Sequence, residues 1–320
     1  MAEPKYGKYI VTELKKNIKV PSFRPGEVLE EAKPGEKRMM NHVIWMDSEV
    51  VPGSFYSECV WFFPGREPTP EQLKKMGKGG GPQAHTHPFE EVITFFGTNF
   101  DDPHDLCGEV ELWLEDEQFI LNKSFLAYVP VGMKHCPLRI RRIDKPMFHF
   151  TLGPGQRYDG QWKGEKKNLG KSELTKQFVF QDKPNLKLPG FRHEIPKEYA
   201  HRIVYLDSET VPGARFYAEA LWFWPPKPGQ QRLAPKPGDE PGVKPHTHPF
   251  PEMIAFFGTN PDDIHDLCGE VELWIDGQQN IINKSFVAFV PAGVVHCPLN
   301  IRRMDKPLFH FTAGPGKIYE

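Results

Sequence analysis

The chain has 320 residues, enough for two domains of ordinary size, and 39% of them are hydrophobic, so a sizeable core can form. Its 40 basic and 42 acidic residues give a net charge of −2, which lacks the strong basic bias that nucleic-acid or membrane-surface binding needs. No apolar run approaches the roughly 18 residues of a bilayer span, and the polar start MAEPKYGKYIVTELKK is unlike a signal peptide, so a cytoplasmic location is expected.

In chain order, NIKVPSFRP (17–25) comes first and is echoed by NLKLPGFRH (185–193), and MDSEVVPG (46–53) is echoed by LDSETVPG (206–213). TPEQLKKMGKGG (69–80) predicts one short helix stopped by glycine. HTHPFEEVITFFGTN (85–99) then carries two histidines one residue apart and a glutamate four residues on. In EVELWL (109–114), Glu109, Glu111 and Trp113 fall on one face and Val110, Leu112 and Leu114 on the other, the period of a half-buried strand. SFLAYVPVG predicts a strand ending in a Pro-x-Gly turn, and MFHFTL another. With 33 prolines and 28 glycines, the chain reads as many short strands and turns.

The whole pattern then returns. Residues 85–132 placed on 246–293 match at 34 of 48 positions, and the match runs on through RRIDKPMFHFTLGPG (141–155) and RRMDKPLFHFTAGPG (302–316). Two modules are expected, 1–160 and 161–320, with the polar stretch 161–173 as linker. The five cysteines are odd in number and include no close-spaced pair, which suits free thiols in a reducing compartment better than a disulfide framework.

The doubled half-site calls for another ligand downstream. PVGMKHCPL supplies His135 and PAGVVHCPL supplies His296, each 44 residues after the glutamate. Residues i and i+2 of a strand share a face, so His85 and His87 can reach one ion together. Glu91 follows from the next turn or strand, and His135 joins once a barrel closes. The second set is His246, His248, Glu252 and His296. Three imidazoles and a carboxylate suit a divalent transition metal, Mn or Fe foremost, with Zn, Ni, Co and Cu compatible, one per module.

These residues resemble the cupin superfamily, whose motifs run G-x5-H-x-H-x3–4-E-x6-G and G-x5-P-x-G-x2-H-x3-N. Two copies resemble a bicupin. The resemblance implies an all-β chain of two tandem double-stranded β-helix (jelly-roll) barrels, with the eight residues above as metal ligands, and a homo-oligomer. Several motif positions depart. Gly79 keeps the leading glycine where the second module has Glu240, and Gly97 and Gly258 arrive one residue early. Ser124 and Ser285 replace a glycine, and Asn300 keeps the asparagine that Arg139 replaces.

Between the modules, Glu90 corresponds to Pro251 and Lys134 to Val295. A glutamate and a lysine beside a metal can serve as base and anion binder, which favours the first module as the catalytic one. His104 in DD-x-HD is a further acid–base candidate, although Asp and Asn at such spacing also fix loops. His149 and His310 alternate with phenylalanines and read as core histidines. Of each pair Arg141/Arg142 and Arg302/Arg303, one is a candidate carboxylate clamp. Cys136 and Cys297 follow a ligand directly and point away from it.

A metal in such a site polarises a carbonyl and activates water. The expected activity is cleavage of a C–C bond in a small oxygenated, enolisable substrate, and the general look is similar to bicupin-like cyclohydrolases that open cyclic polyketones such as dihydrophloroglucinol. The alternatives are an Fe- or Cu-dependent ring dioxygenase, a Mn decarboxylase, and a non-enzymatic ligand-binding or storage bicupin.

Overall fold

The structure is a computed structural model, and it describes residues 7–158, 169–317 and 319 except for 28, 33–35, 37, 66–80, 194 and 227–241. The helix expected at 69–80 lies outside the described residues, as do Gly79 and Glu240.

The described chain is almost entirely β, and the two tandem jelly-roll barrels are present. After β1 (Ile10–Val11) the first barrel is built from β2 (Met40–Met46), β3 (Tyr56–Phe62), β4 (Glu91–Gly97), β5 (Asp105–Leu114), β6 (Glu117–Lys123), β7 (Phe125–Val129), β8 (His135–Ile143) and β9 (Met147–Gly153). A short helix, α1 (Lys171–Thr175), and β10 (Phe178–Val179) follow. The second barrel repeats the order with β11 (Ala200–Leu206), β12 (Tyr217–Phe223), β13 (Glu252–Phe257), β14 (Asp266–Ile275), β15 (Gln278–Lys284), β16 (Phe286–Val290), β17 (His296–Met304) and β18 (Leu308–Gly314).

Each barrel is a six-stranded sheet facing a three-stranded one. The first has the orders β10-β7-β4-β9-β3-β2 and β6-β5-β8; the second has β1-β16-β13-β18-β12-β11 and β15-β14-β17. The central strands β4, β7 and β9 are buried at every position, which is why FEEVITFF reads as a run and not an alternation. On β5 the alternation holds. Val110, Leu112 and Leu114 are fully buried in the core, while Glu109 and Glu111 face outward to Arg141 at 2.8 and 3.1 Å. Ile254, Phe256, Val271, Leu273 and Phe286 fill the second core in the same way.

The chain divides into residues 14–181 and residues 1–13 with 182–320, and not at 160/161. The cause is a pair of two-residue strands. β10 pairs with β7 (Phe178 opposite Ala127) and so belongs to the first barrel. β1 pairs with β16 (Ile10 opposite Ala288) and so belongs to the second, where Ile10 joins the core.

The DD-x-HD inserts serve these strands. His104 Nδ1 donates to the Phe180 carbonyl at 3.0 Å, and His265 Nδ1 donates to that of Thr12 at 3.1 Å. Asp105 accepts from Asn99 at 2.9 Å and from the Cys107 amide at 2.9 Å, and Asp266 repeats both contacts. The loops are thus fixed by side-chain hydrogen bonds. All five cysteines are free and buried.

Candidate metal centre

In each barrel an antiparallel bridge sets the site. His85 and His135 exchange backbone hydrogen bonds of 3.1 Å, as do His246 and His296. Glu91 opens β4 and pairs with Val129 on β7; Glu252 opens β13 and pairs with Val290 on β16. The ligand atoms of His85, His87, Glu91 and His135 all lie within 4.8 Å of one another, and so do those of His246, His248, Glu252 and His296. Glu91 Oε2 is 2.9 Å from His135 Nε2 and 3.4 Å from His87 Nε2. Glu252 Oε2 is 3.0 Å from His296 Nε2 and 3.7 Å from His248 Nε2.

The ring nitrogens are preset for coordination. Nδ1 of His85 donates to the Gln83 carbonyl at 2.6 Å and that of His135 to Met133 at 3.0 Å. His246 and His296 bond Lys244 and Val294 in the same way, at 2.7 and 3.1 Å. With the proton held on Nδ1, the Nε2 lone pair faces the cluster. Glu91 Oε2, His135 Nε2, Glu252 Oε2, His246 Nε2 and His296 Nε2 are buried without a well-formed hydrogen bond. Buried polar atoms left in this way cost on the order of 1–3 kcal/mol each, a cost that a shared cation removes. Among the described residues each module thus carries one cluster of three histidines and a glutamate fit to hold a divalent metal; a further group in the first module, Glu27, His42 and Glu58, is taken up by Arg24.

Electrostatics agree with the donor set at both carboxylates and at His85 and His246, while at His296 burial is outweighed by the Glu252 carboxylate, which raises the imidazole. Burial works to raise the Glu91 carboxyl, but His87 and His135 outweigh it and hold it well below the usual range. Glu252 is lowered too, by His296 and His248 against the same burial. Burial, aided by His135, pushes His85 down to about 2; burial, aided by His296, pushes His246 down to about 4. Neutral imidazoles and an ionised carboxylate are the forms that bind metal.

Aromatic rings wall each cluster. Phe23 stacks on His85 with centroids 3.9 Å apart, Phe89 stacks on His87 at 4.8 Å, and Tyr158 leans on His87 at 5.0 Å. In the second module Phe191, Phe250 and Tyr319 repeat these contacts at 3.8, 5.0 and 5.1 Å. Behind the wall, Arg24 holds Glu58 through two hydrogen bonds of 2.6 and 2.8 Å and also binds Glu27. These residues escaped the motif reading. The signal for them was the pair of echoes, Phe23-Arg24 with Phe191-Arg192 and the Gly-Pro-Gly-x-x-Tyr ends at Tyr158 and Tyr319.

The acid–base candidates fare differently. Glu90 is 8% exposed and directly precedes Glu91. The Lys134 ammonium is bound by Asp116 at 2.5 Å on the surface. His104 is not at the cluster: its carbonyl accepts from Ser124 beside the Phe125 end of β7, whereas Glu91 pairs at the Val129 end. His149 and His310 are core histidines, bonded through Nδ1 to the carbonyls of Thr94 and Ala255. Arg141 and Arg142 pair with Glu109, Glu111 and Asp144 on the outer face, and Arg302 with Glu270 and Glu272, so none of these three arginines is a clamp. Cys136 packs in the hydrophobic core, where burial pushes its thiol up, as expected of an inert cysteine.

No protein-family model and no curated protein matches the chain. Solved structures of similar fold include an oxalate decarboxylase studied for its substrate binding mode and reaction specificity. It has a TM-score of 0.49 and 13% identity, covering 89% of this chain and 75% of that one. A mutant of the Bacillus subtilis oxalate decarboxylase OxdC gives 0.48 and 14%, covering 89% and 75%. AerE from Microcystis aeruginosa gives 0.42 and 12%, covering 89% and 96%. Identity this low leaves the activity to be argued from the site itself.

Proposed function

We propose that this chain is a divalent-metal-dependent enzyme that cleaves a C–C bond in a small, enolisable cyclic polyketone, with Mn or Fe as the metal. The observation that carries the reading is the convergence of three imidazoles and a carboxylate in each barrel, with Nδ1 of two of the imidazoles fixed on carbonyls and buried Nε2 and Oε2 atoms brought together. A metal bound there supplies Lewis acidity to a substrate carbonyl and its enolate, and activates water.

The chain's own residues favour a flat ring. Phe23, Phe89 and Tyr158 offer planar apolar faces beside the ligands and keep the site dry, which strengthens its electrostatics. A small dicarboxylate would call for an available guanidinium. Arg24, which lies 5.8 Å over the Tyr158 ring, is taken up by Glu27 and Glu58. Glu90 is the candidate for moving a proton to or from the substrate. Pro251 stands in its place in the second module, so the first centre is proposed as the catalytic one. The substrate is a small oxygenated molecule and the assembly a homo-oligomer; among the described residues no helix is long and apolar enough to cross a membrane.

The test is anaerobic turnover of cyclic 1,3-diketones by Mn-loaded protein, followed by loss of enol absorbance and by formation of a ring-opened acid. His85→Ala is expected to abolish turnover and His246→Ala to retain it, while Glu90→Gln falls by about 10²–10⁴-fold. Consumption of O2 with an Fe- or Cu-loaded chain would replace this reading with a ring dioxygenase, and CO2 release from a dicarboxylate would replace it with a decarboxylase.

A further inference from the structure

The two centres contain the same second rank of residues but connect them differently. In the first, Thr151 Oγ1 lies 3.0 Å from Glu91 Oε1, and the Tyr56 hydroxyl donates to Glu58 Oε2 at 2.6 Å. In the second the partners are exchanged. The Tyr217 hydroxyl donates to Glu252 Oε1, and Thr312 Oγ1 donates to Glu219 Oε1 at 3.3 Å. The backbone is not the cause, since Glu58 sits opposite Thr151 and Glu219 opposite Thr312 in the same register.

The buried charges behind the site differ. In the first module two carboxylates, Glu27 and Glu58, share Arg24 and His42, whose Nε2 is 2.7 Å from Glu58. In the second, Arg202 replaces His42 at the same register position, and both Arg192 and Arg202 bind Glu219. Among the described residues, the other carboxylate that Arg202 meets is half-exposed Asp182, at a longer 3.4 Å. Glu58 therefore keeps negative charge that draws the Tyr56 proton. Glu219 is neutralised by two guanidiniums and releases Tyr217 to Glu252. Thr151 Oγ1 is also 3.0 Å from the Val92 carbonyl, and the ionised Glu91 is the stronger acceptor of its one proton.

Resting on the reading of both clusters as metal centres, we propose that different hydroxyls hold the metal-binding glutamate in the two modules, Thr151 in the first and Tyr217 in the second. Each fixes Oε1 so that Oε2 faces the imidazoles. Tyr56 and Thr312, their counterparts, bond the buried Glu58 and Glu219 and not the metal-binding glutamate, Thr312 touching the second centre only through the Tyr217 hydroxyl. The two centres are consequently inequivalent although their ligand sets are identical.

The test uses the full chain with one centre disabled. His246→Ala leaves the first centre and His85→Ala the second. Mn(II) affinity is measured by competition with a chelator, bound Mn(II) is followed by electron paramagnetic resonance, and folding by circular dichroism. With the first centre alone, Thr151→Val is expected to weaken Mn(II) by about 10–100-fold and Tyr56→Phe to leave it unchanged. With the second alone, Tyr217→Phe is expected to weaken it to that degree and Thr312→Val, which touches Glu252 only through Tyr217, to weaken it by less than about 3-fold. Binding in both backgrounds without this crossed pattern would overturn the inference and leave the metal reading standing. Folded protein that takes up no Mn(II) in either background would overturn both. The near-isosteric pairs give two variants for each centre, so loss of one to misfolding still leaves the other to decide.

Discussion

Histidine is used in two ways in this chain, and because Nδ1 donates to a carbonyl in both, the difference lies in what surrounds the rest of the ring. At His85, His135, His246 and His296 the Nδ1 proton goes to a nearby carbonyl and Nε2 turns to a cluster containing a carboxylate. At His149 and His310 the ring stacks on Phe95 and Phe256 in the core instead. Burial pushes both core histidines down to about 4 from the usual 6.5. The unfolded chain then binds more protons than the folded one between these values. Stability is full above about 6.5 and is lost as pH falls toward 4, by on the order of a few kcal/mol per histidine. Thermal melts of metal-loaded protein between pH 7 and 4.5 should show this slope, and the double variant His149→Gln/His310→Gln should flatten it. Parallel slopes for the two proteins would rule the assignment out.

The strands that carry the ligands are held by close backbone approach at their far ends. Gly97 ends β4, and a Cβ there would collide with the carbonyls of Asp105 and Leu106; at Gly258 it would meet those of Asp266 and Leu267. These are backbone atoms that cannot swing aside, which explains why glycine stands one residue earlier than the motif places it. Gly97→Ala and Gly258→Ala are expected to lower stability by about 1–3 kcal/mol each in denaturant unfolding. Gly190→Ala, with nothing within 4 Å of the added atom, is expected to be neutral. An unchanged midpoint for Gly97→Ala would show that the insert moves freely. The polar element behind the metal wall is equally local in its effect. Arg24 pairs with both Glu27 and Glu58, and His42 Nε2 lies 2.7 Å from Glu58, so removal of Arg24 strips both buried carboxylates of their guanidinium, a change that typically costs about 3–5 kcal/mol.

Across the whole molecule, one compact unit depends on a strand from outside its main stretch of sequence, while the other, 14–181, is continuous. The second unit takes in residues 1–13, whose Ile10 sits in its core and whose Thr12 carbonyl receives His265. Deleting residues 1–13 strips one edge from β16. Hydrogen exchange at 286–290 is expected to speed up while 125–129, still covered by β10, stays protected. Equal protection in both segments would mean that the pairing contributes nothing. Metal content is the other quantity belonging to this scale. Protein purified without added metal should hold about two ions per chain, and His85→Ala and His246→Ala should each lose one, as read by elemental analysis.

The sequence by itself determined the parts governed by short spacing. Two histidines at i and i+2 with a glutamate four residues on, and a Pro-x-Gly turn before a third histidine, marked both four-residue clusters because strand geometry alone puts such residues on one face. The period of EVELWL marked the buried face of β5 for the same reason, and repetition at a constant offset revealed the two modules. Tertiary structure decided what depends on residues far apart in the chain. Phe23 reaches His85 and Thr151 reaches Glu91 only through barrel closure, and no local period announces either contact. The exchange of β1 and β10 was illegible because a two-residue strand carries no pattern. Lys134 and His104 had suitable chemistry beside or between the motifs. Asp116 and the Phe180 carbonyl claimed them in space, and the Tyr56 and Tyr217 hydroxyls parted ways because the buried charge behind them, contributed by other strands, differs by an arginine.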